Sequence, residues 1–326
     1  MTRSSQTEIR YELLAHSDRV EEIAPAWNDL LDRSPCNRAF SSPVWFMVTC
    51  RVQQFFQPRV AIAWRNDCLA GVLPVALDTA QRAVGFPNSM SNYNDVVAAA
   101  GDHEIVRGLV EYVRKALCPG IALTLRWLRQ ESNCIRAIER FEKEQDYMFL
   151  RLDGGWEGYL ASRSRNFRKS VSQALRRAYE ADLFVRQLDP REFDPEALPE
   201  LFLRLHLGRF GEKSAFRVAS PNWQFLLQAL PTLFRDGRII AFGLFNAHSC
   251  IGIDLSMVGA ASLCTWNGGY PKEAERWSPG KLLIVAGIRK AINMGFREYD
   301  LLRGAQEWKK HWATNTRAVG RLDYPA

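Results

Sequence analysis

The stretch WSPGKLLIVAGIRKAINMGFREYDLLRGAQEWKKHW, residues 277–312, holds a turn, an amphipathic helix, a strand and a basic-aromatic tail. Leu282, Leu283, Val285, Ala286, Ile288, Ala291 and Ile292 recur at three- and four-residue spacing, as one buried helix face requires. Ser278-Pro279-Gly280 stands at the helix entrance, and Gly295 stands where a left-handed C-terminal cap belongs. A strand ending in Asp300 follows. The entrance carries no carboxylate and adds a cation, Lys281, so its backbone N–H groups suit a phosphate.

Outward from this stretch, one order of elements occurs twice. In the first half, periodicity predicts helices over 19–33 and from the Ser41/Ser42 cap onward, with Pro43 in the first turn. Apolar runs at 60–64 and 69–77 flank Arg65-Asn66-Asp67-Cys68, a hairpin signature. A turn-rich loop (85–95), a helix (104–117) and strands at 121–128 and 147–152 complete the half. The second half reads as helices over 164–180, 195–209 and 221–230, a hairpin from 239–245 and 250–258, a strand at 262–266, the opening helix, and a strand at 298–302. The fold class expected is α/β (α+β), with two tandem domains, each a mixed sheet flanked by helices. Asp153-Gly154-Gly155 marks the boundary, giving domains 1–154 and 155–326. Identity between the halves is negligible, so the repeat is one of pattern. The helix of the first half that corresponds to 280–293 opens with Gly101-Asp102-His103-Glu104, whose carboxylates satisfy the free N–H groups and repel a phosphate.

Hydrophobic content of 47% and charged content of 24% belong to a soluble globular protein. The start, MTRSSQTEIRYELLAHSDRVEE, has no signal-peptide core. The longest apolar runs, such as 68–77, are too short for a bilayer and contain Gly71 and Pro74. The seven cysteines show no metal spacing, so we expect no metal and a reduced, cytoplasmic compartment. Of the net charge of +7, six positive charges fall on Arg163, Arg165, Arg168, Lys169, Arg176 and Arg177. Nucleic acid or an anionic surface is one reading of the run; Phe167, Val171, Leu175 and Ala178 back it with an apolar stripe, which favours a solvated helix face near a small anion.

SPGKLL followed by GIRKAINMGFREYDLLRGAQEWKKHW resembles the C-terminal signature of the CelD-like branch of the GNAT acyltransferase superfamily, often encoded with polysaccharide-biosynthesis genes. AWNDLLDRSPCNRAFSSPVWF, SNYND (91–95) and LHLGRFGEKSAF (205–216) match in the same order. The resemblance implies two GNAT-like domains, the first degenerate and on the acceptor side, the second binding acetyl-coenzyme A or another acyl-coenzyme A. It implies transfer of the acyl group to the amine of an amino sugar or other small molecule. The fourth and fifth strands of that fold splay around the thioester; here they are 262–266 and 298–302. Ser278, Gly280, Lys281 and Leu282 would hold the pyrophosphate, although Arg276-Trp277-Ser278-Pro279-Gly280 only approximates the superfamily's phosphate loop. The layout is also similar to the Fem-type peptidyltransferases, which implies an alternative: an aminoacyl group taken from tRNA, with the basic run as its contact. A non-catalytic GNAT-fold accessory protein is a third reading.

Amide formation from a thioester needs a neutral amine, a destination for its proton and donors near the developing oxyanion. No Ser-His-Asp or Cys-His spacing is present, so direct attack is the economical mechanism. Backbone N–H groups near Thr265, Trp266 and Asn267 are placed to receive the carbonyl oxygen. Tyr270 is a donor for the leaving thiolate or a packing residue. Asp300 is a catalytic carboxylate or a salt bridge to Arg303, and Lys309 clamps a substrate anion or is a solvated charge. His206 and Arg209 share a helix face: Arg209 suits an acidic substrate group and His206 a proton, unless His206 is a satisfied helix-end histidine. Asp95, beside Tyr93 and Asn94, binds the acceptor amine or is a turn aspartate. Asp254 lies in an apolar strand, where a carboxylate needs a partner, and is a buried pair or a substrate contact.

Overall fold

Asn66 and Asp67 both adopt positive φ (50° and 59°), as a tight two-residue hairpin requires, and join an antiparallel pair that runs from Phe56–Asp78 to Arg65–Cys68. The computed structural model describes residues 8–87 and 90–326. Asn88 and Ser89, in the loop expected over 85–95, and the first seven residues lie outside the described residues. Two compact units result, 1–145 with 318–326, and 146–317. The expected cut fell at 154/155 and did not include the return of the last nine residues to the first unit.

The first unit contains β1 (Ile9–Leu14), α1 (Ser17–Glu22), α2 (Ala24–Arg33), α3 (Pro43–Val52), β2 (Phe56–Arg65), β3 (Cys68–Asp78), β4 (Ala83–Gly85), β5 (Val97–Ala98), α4 (His103–Leu117), β6 (Ala122–Arg129) and α5 (Asn133–Ile138). β7 (Glu142–Arg151) then runs into the second unit. The second unit continues with α6 (Gly155–Ala161), α7 (Arg165–Glu180), β8 (Phe184–Gln187), α8 (Leu198–Phe210), α9 (Pro221–Arg235), β9 (Ile239–Phe245), β10 (Cys250–Val258), β11 (Ser262–Gly269), α10 (Pro279–Asn293), β12 (Glu298–Asp300) and α11 (Glu307–Trp312). β13 (Asn315–Tyr324) carries the chain back into the first.

The sheet order is β1-β2-β3-β4-β6-β13 in the first unit, with β5 also on β3, and β8-β9-β10-β11-β12-β7 in the second. These are one topology twice: in each, the sixth strand comes from the other half of the chain. Each half has one parallel pair, β4–β6 and β11–β12, flanking the position where a helix crosses over. α4 lays Ile105, Leu109, Val110 and Val113 on the strands of the first half; α10 lays Leu282, Leu283, Val285, Ile288 and Ala291 on those of the second. The mixed α/β class with flanking helices is as expected, although the strands join in one 13-stranded sheet rather than two.

The helices at 19–33 and 195–209 are shorter pieces than the periodicity suggested, because Ile23 interrupts the first and Pro195–Ala197 is a 3-10 turn. β1, β8 and β13 escaped the pattern, being half-buried edge or late strands with polar residues on the open side. All seven cysteines are free, with Cys36, Cys50, Cys134 and Cys264 buried. Among the described residues no helix is long and apolar enough to cross a membrane.

Candidate active site

β11 pairs with β10 from Leu263 to Gly269, with Trp266 passed over, but with β12 only over Ser262–Glu298, Leu263–Tyr299 and Cys264–Asp300. Beyond Cys264 the two parallel strands part. β12 stops because the Asp300 carboxylate turns back to accept the Leu302 N–H at 2.7 Å, with Leu302 at φ 58°. On the other side of β11 the register steps from Leu255–Asn267 to Ser256–Thr265, so Trp266 is the extra residue of a β-bulge. The splay and the bulge therefore coincide at residues 265–267.

α10 starts beside the end of these strands, with Pro279 near Gly252 of β10 and Gly280 facing Tyr270, just beyond β11. Ser278 is left-handed (φ 59°, ψ 53°), gives no side-chain cap, and the first turn holds no acidic residue. The partial positive charge of the helix end is thus uncompensated by its own chain. The Ser278 hydroxyl instead accepts from Arg177 Nη2 at 3.1 Å, and Lys281 Nζ donates to Ser170 Oγ at 2.6 Å, so basic helix α7 lies along the entrance. In the first unit the equivalent entrance is filled: Asp102 accepts from the Ile105 N–H and is paired with Arg65 at 2.8 and 3.0 Å. Space is left at Gly280, where an added Cβ would meet only the Tyr270 ring at 3.7 Å and its hydroxyl at 4.0 Å. These residues fit a pyrophosphate.

Tyr270 therefore covers the entrance, and Arg209 stacks on it, its guanidinium carbon 4.5 Å from the ring centroid. Arg209 forms no ion pair among the described residues, so its charge is available to an anion. α8 is held against β11 because Gly269 has no side chain: a Cβ there would stand 2.4 Å from the His206 backbone nitrogen. His206 is buried among Phe202, Phe210 and Phe216, and its Nδ1 lies 3.0 Å from Ser214 Oγ. Burial, helped by the Arg209 charge, lowers its pKa to about 4, so the ring is neutral at pH 7.

The sign of the resulting pH dependence follows. The unfolded chain binds this proton near the ordinary value of about 6.5 and the fold only near 4, so the unfolded state holds more protons between them. Stability is expected to fall as pH drops through that window, by on the order of 2 kcal/mol after allowance for screening. Buried Asp95 and Asp254, whose raised pKa values act in the opposite sense, contribute equally to wild type and variant, so denaturant melts from pH 7 to pH 4 should show the His206 contribution as the wild type losing stability relative to His206→Phe.

The other expected residues lie in three separate settings. Asp300 is 1% exposed and sits 3.6 Å from Arg317 Nε, while Arg317 also bonds Glu298. Lys309 is buried and donates to the carbonyls of Leu302 and Arg303; desolvation lowers its pKa to about 8, against the opposing pull of Asp300. Asp254 accepts from Ser256 Oγ and Thr265 Oγ1, both at 2.7 Å, and burial raises its pKa to about 6. In the first unit, Asp95 is buried and spends its oxygens on the N–H groups of Val96, Asn133 and Cys134, the last two at the start of α5. Its pKa is also raised by burial, to about 6. Leu282 packs into the core, and its N–H is 3.4 Å from the Ser278 carbonyl. The structure thus brings Arg209, Tyr270, Ser278, Gly280 and Lys281 together, with 265–267 at the adjacent splay. Asp95 belongs to the first unit.

Ser170, Arg177, Ser256, Tyr299 and Arg317 were not singled out from the sequence. Only Arg177 had a signal, as a member of the basic run. Among the described residues no group of His, Cys, Asp or Glu is placed to hold a metal ion.

Residues 165–310 match the family model for the acetyltransferase (GNAT) domain. The matched residues lie within the second unit. Among solved structures the chain is similar to FemX, at 13% identity over 97% of each chain with a TM-score of 0.69. It is also similar to L-PGS from Bacillus licheniformis (11% identity, 95% of this chain and 92% of that one, TM-score 0.61). A third likeness is the C-terminal domain of a putative lysylphosphatidylglycerol synthetase from Agrobacterium fabrum (13% identity, 93% and 92%, TM-score 0.59). At these identities the likeness is one of fold. No curated protein matches the sequence.

Proposed function

We propose that the protein is an acyl-coenzyme A-dependent N-acyltransferase, with acetyl the simplest donor, acting on the amine of an amino sugar or other small molecule. One observation carries this reading: the β11–β12 splay lies beside a helix entrance that has no acid of its own and is flanked by Arg177 and Lys281. The CelD-like resemblance adds polysaccharide synthesis in the cytoplasm as the setting, and assigns the acceptor side to the first domain.

The donor's pyrophosphate is held at Ser278, Gly280, Lys281 and Leu282, and its thioester enters the splay. Backbone N–H groups at 265–267 receive the carbonyl oxygen as the amine attacks, so the charge develops against fixed dipoles. Collapse breaks the carbon–sulfur bond, and Tyr270 gives its proton to the thiolate. His206, neutral at pH 7 but with its pKa near 4, is a weak base that passes the ammonium proton onward rather than holding it. Arg209 holds an acidic group of the acceptor, while Lys309, buried against the Leu302 and Arg303 carbonyls, fixes the turn that follows β12. Asp300 and Arg303 act on Lys309: the carboxylate favours its charged form and the Arg303 carbonyl fixes its position.

A second reading, aminoacyl transfer from tRNA, is favoured by the exposed basic face of α7, whose Arg165, Arg168, Lys169, Arg176 and Arg177 all face solvent. Calorimetric titration separates the two. Binding of acetyl-, longer acyl- or free coenzyme A is expected, at micromolar levels; silence from all three sinks the first reading. A salt-steep affinity for charged tRNA in its place would select the second. Absence of both leaves the accessory role.

A further inference from the structure

Asp254 is a carboxylate 6% exposed, in the middle of a sheet, with no ion pair among the described residues. Such a group is costly, and an apolar residue at this position would serve the core better. Its two hydroxyl partners explain where it stands. Ser256 and Thr265 are the cross-strand pair at which the β10–β11 register shifts, so the carboxylate bridges both strands at the edge of the Trp266 bulge. The β12 ladder has already ended at Cys264, so on that side no regular pairing continues to fix the backbone here. Gly268 stands opposite Asp254, where no side chain fits: a Cβ there would stand 2.7 Å from the Ile253 carbonyl oxygen and 3.5 Å from Asp254 Oδ1. The buried Tyr299 hydroxyl borders the same group and packs on α10 at Gly287, which links the bulge to the helix that opens at Ser278.

We propose that Asp254 is a positioning residue for the acyl carbonyl: by tying Ser256 to Thr265 across the bulge it holds the backbone of 265–267 where the thioester oxygen is received. It touches neither donor nor acceptor. The inference rests on the N-acyltransferase reading and adds to it a residue whose work is done through the strand.

Thr265→Val keeps the shape of the side chain and removes one donor to the carboxylate; Thr265→Ser keeps that donor. In Thr265→Val, kcat is expected to fall about 100-fold, the effect of a misplacement near 1 Å, with KM for acyl-coenzyme A within about threefold. Hydrogen exchange of the peptide spanning 262–269, measured without ligand, is expected to speed up at 265–267 alone. Thr265→Ser should restore both. Ser256→Ala, which removes the other donor, gives the same comparison if Thr265→Val does not fold. Unchanged exchange, a kcat within about twofold of wild type, or a loss of kcat that merely tracks the thermal midpoint would each overturn the proposal. A wild type that neither binds nor turns over any acyl-coenzyme A would instead remove the functional reading. Exchange at 265–267 would still decide whether the carboxylate bridge holds the bulge.

Discussion

A Gly280→Asp protein is expected to fold as well as the wild type and to bind coenzyme A at least about 100-fold more weakly. Gly280 is the second residue of α10 and is absent from the positive-φ positions, so its backbone tolerates a side chain. The nearest atoms to an added Cβ belong to Tyr270 at 3.7 and 4.0 Å, ordinary contact distances. Replacing glycine in a helix contributes roughly 0.5–1 kcal/mol, and a carboxylate in the first turn adds about 0.3–1 kcal/mol through the helix dipole. Stability should therefore hold or rise. The same carboxylate would engage the N–H groups meant for the pyrophosphate and repel it; a 100-fold loss corresponds to about 2.7 kcal/mol. The first domain already contains this arrangement, in Asp102 at the entrance of α4. Thermal midpoints with calorimetry test the pair of effects, and undiminished affinity in a stable variant would remove α10 as the donor site.

Gly269→Ala should do the reverse and damage the fold first. The new Cβ would meet the His206 nitrogen at 2.4 Å, the His206 Cα at 2.5 Å and the Leu205 carbonyl carbon at 2.6 Å. All three are backbone atoms, so no rotamer change relieves the clash, and α8 must move away from β11. Overpacking of a core costs about 1–3 kcal/mol where side chains can adjust; here a loss of about 3 kcal/mol or more is expected. Urea melts should show it as a lower midpoint with an unchanged slope. Activity should fall with it, since α8 carries His206 and Arg209. A near-wild-type midpoint would mean that α8 is not seated on the strand as closely as described. The same residue type thus yields opposite outcomes at two positions, because one faces an open helix end and the other a packed backbone.

The contrast between the two helix entrances could be read directly, since a capping aspartate and a bare Ser-Pro-Gly are local signals. The hairpins at 239–245 and 250–258 were equally legible, as their limits coincide with the strands found. The candidate site was legible only in pieces. Tyr270 and Gly280 are ten residues apart in one stretch, but Arg209 joins them through the α8–β11 packing that Gly269 permits. Asp254 was recognisable as a carboxylate in need of partners, yet Ser256 and Thr265 become those partners only through the β10–β11 register and its bulge. Asp95 looked like a loop carboxylate open to ligand, until the N–H groups of α5, a helix that periodicity missed, took its oxygens.

Local chemistry was thus sufficient for what depends on neighbours in the chain: helix faces, caps, turns, the duplicated order of elements and the basic run on α7. The sixth strand of each half, the bulge at Trp266 and the partners of every buried carboxylate depend on which strands pair and in what register. Those choices are made by burial across long sequence separations, where a polar residue acquires its meaning only from the residue set opposite it.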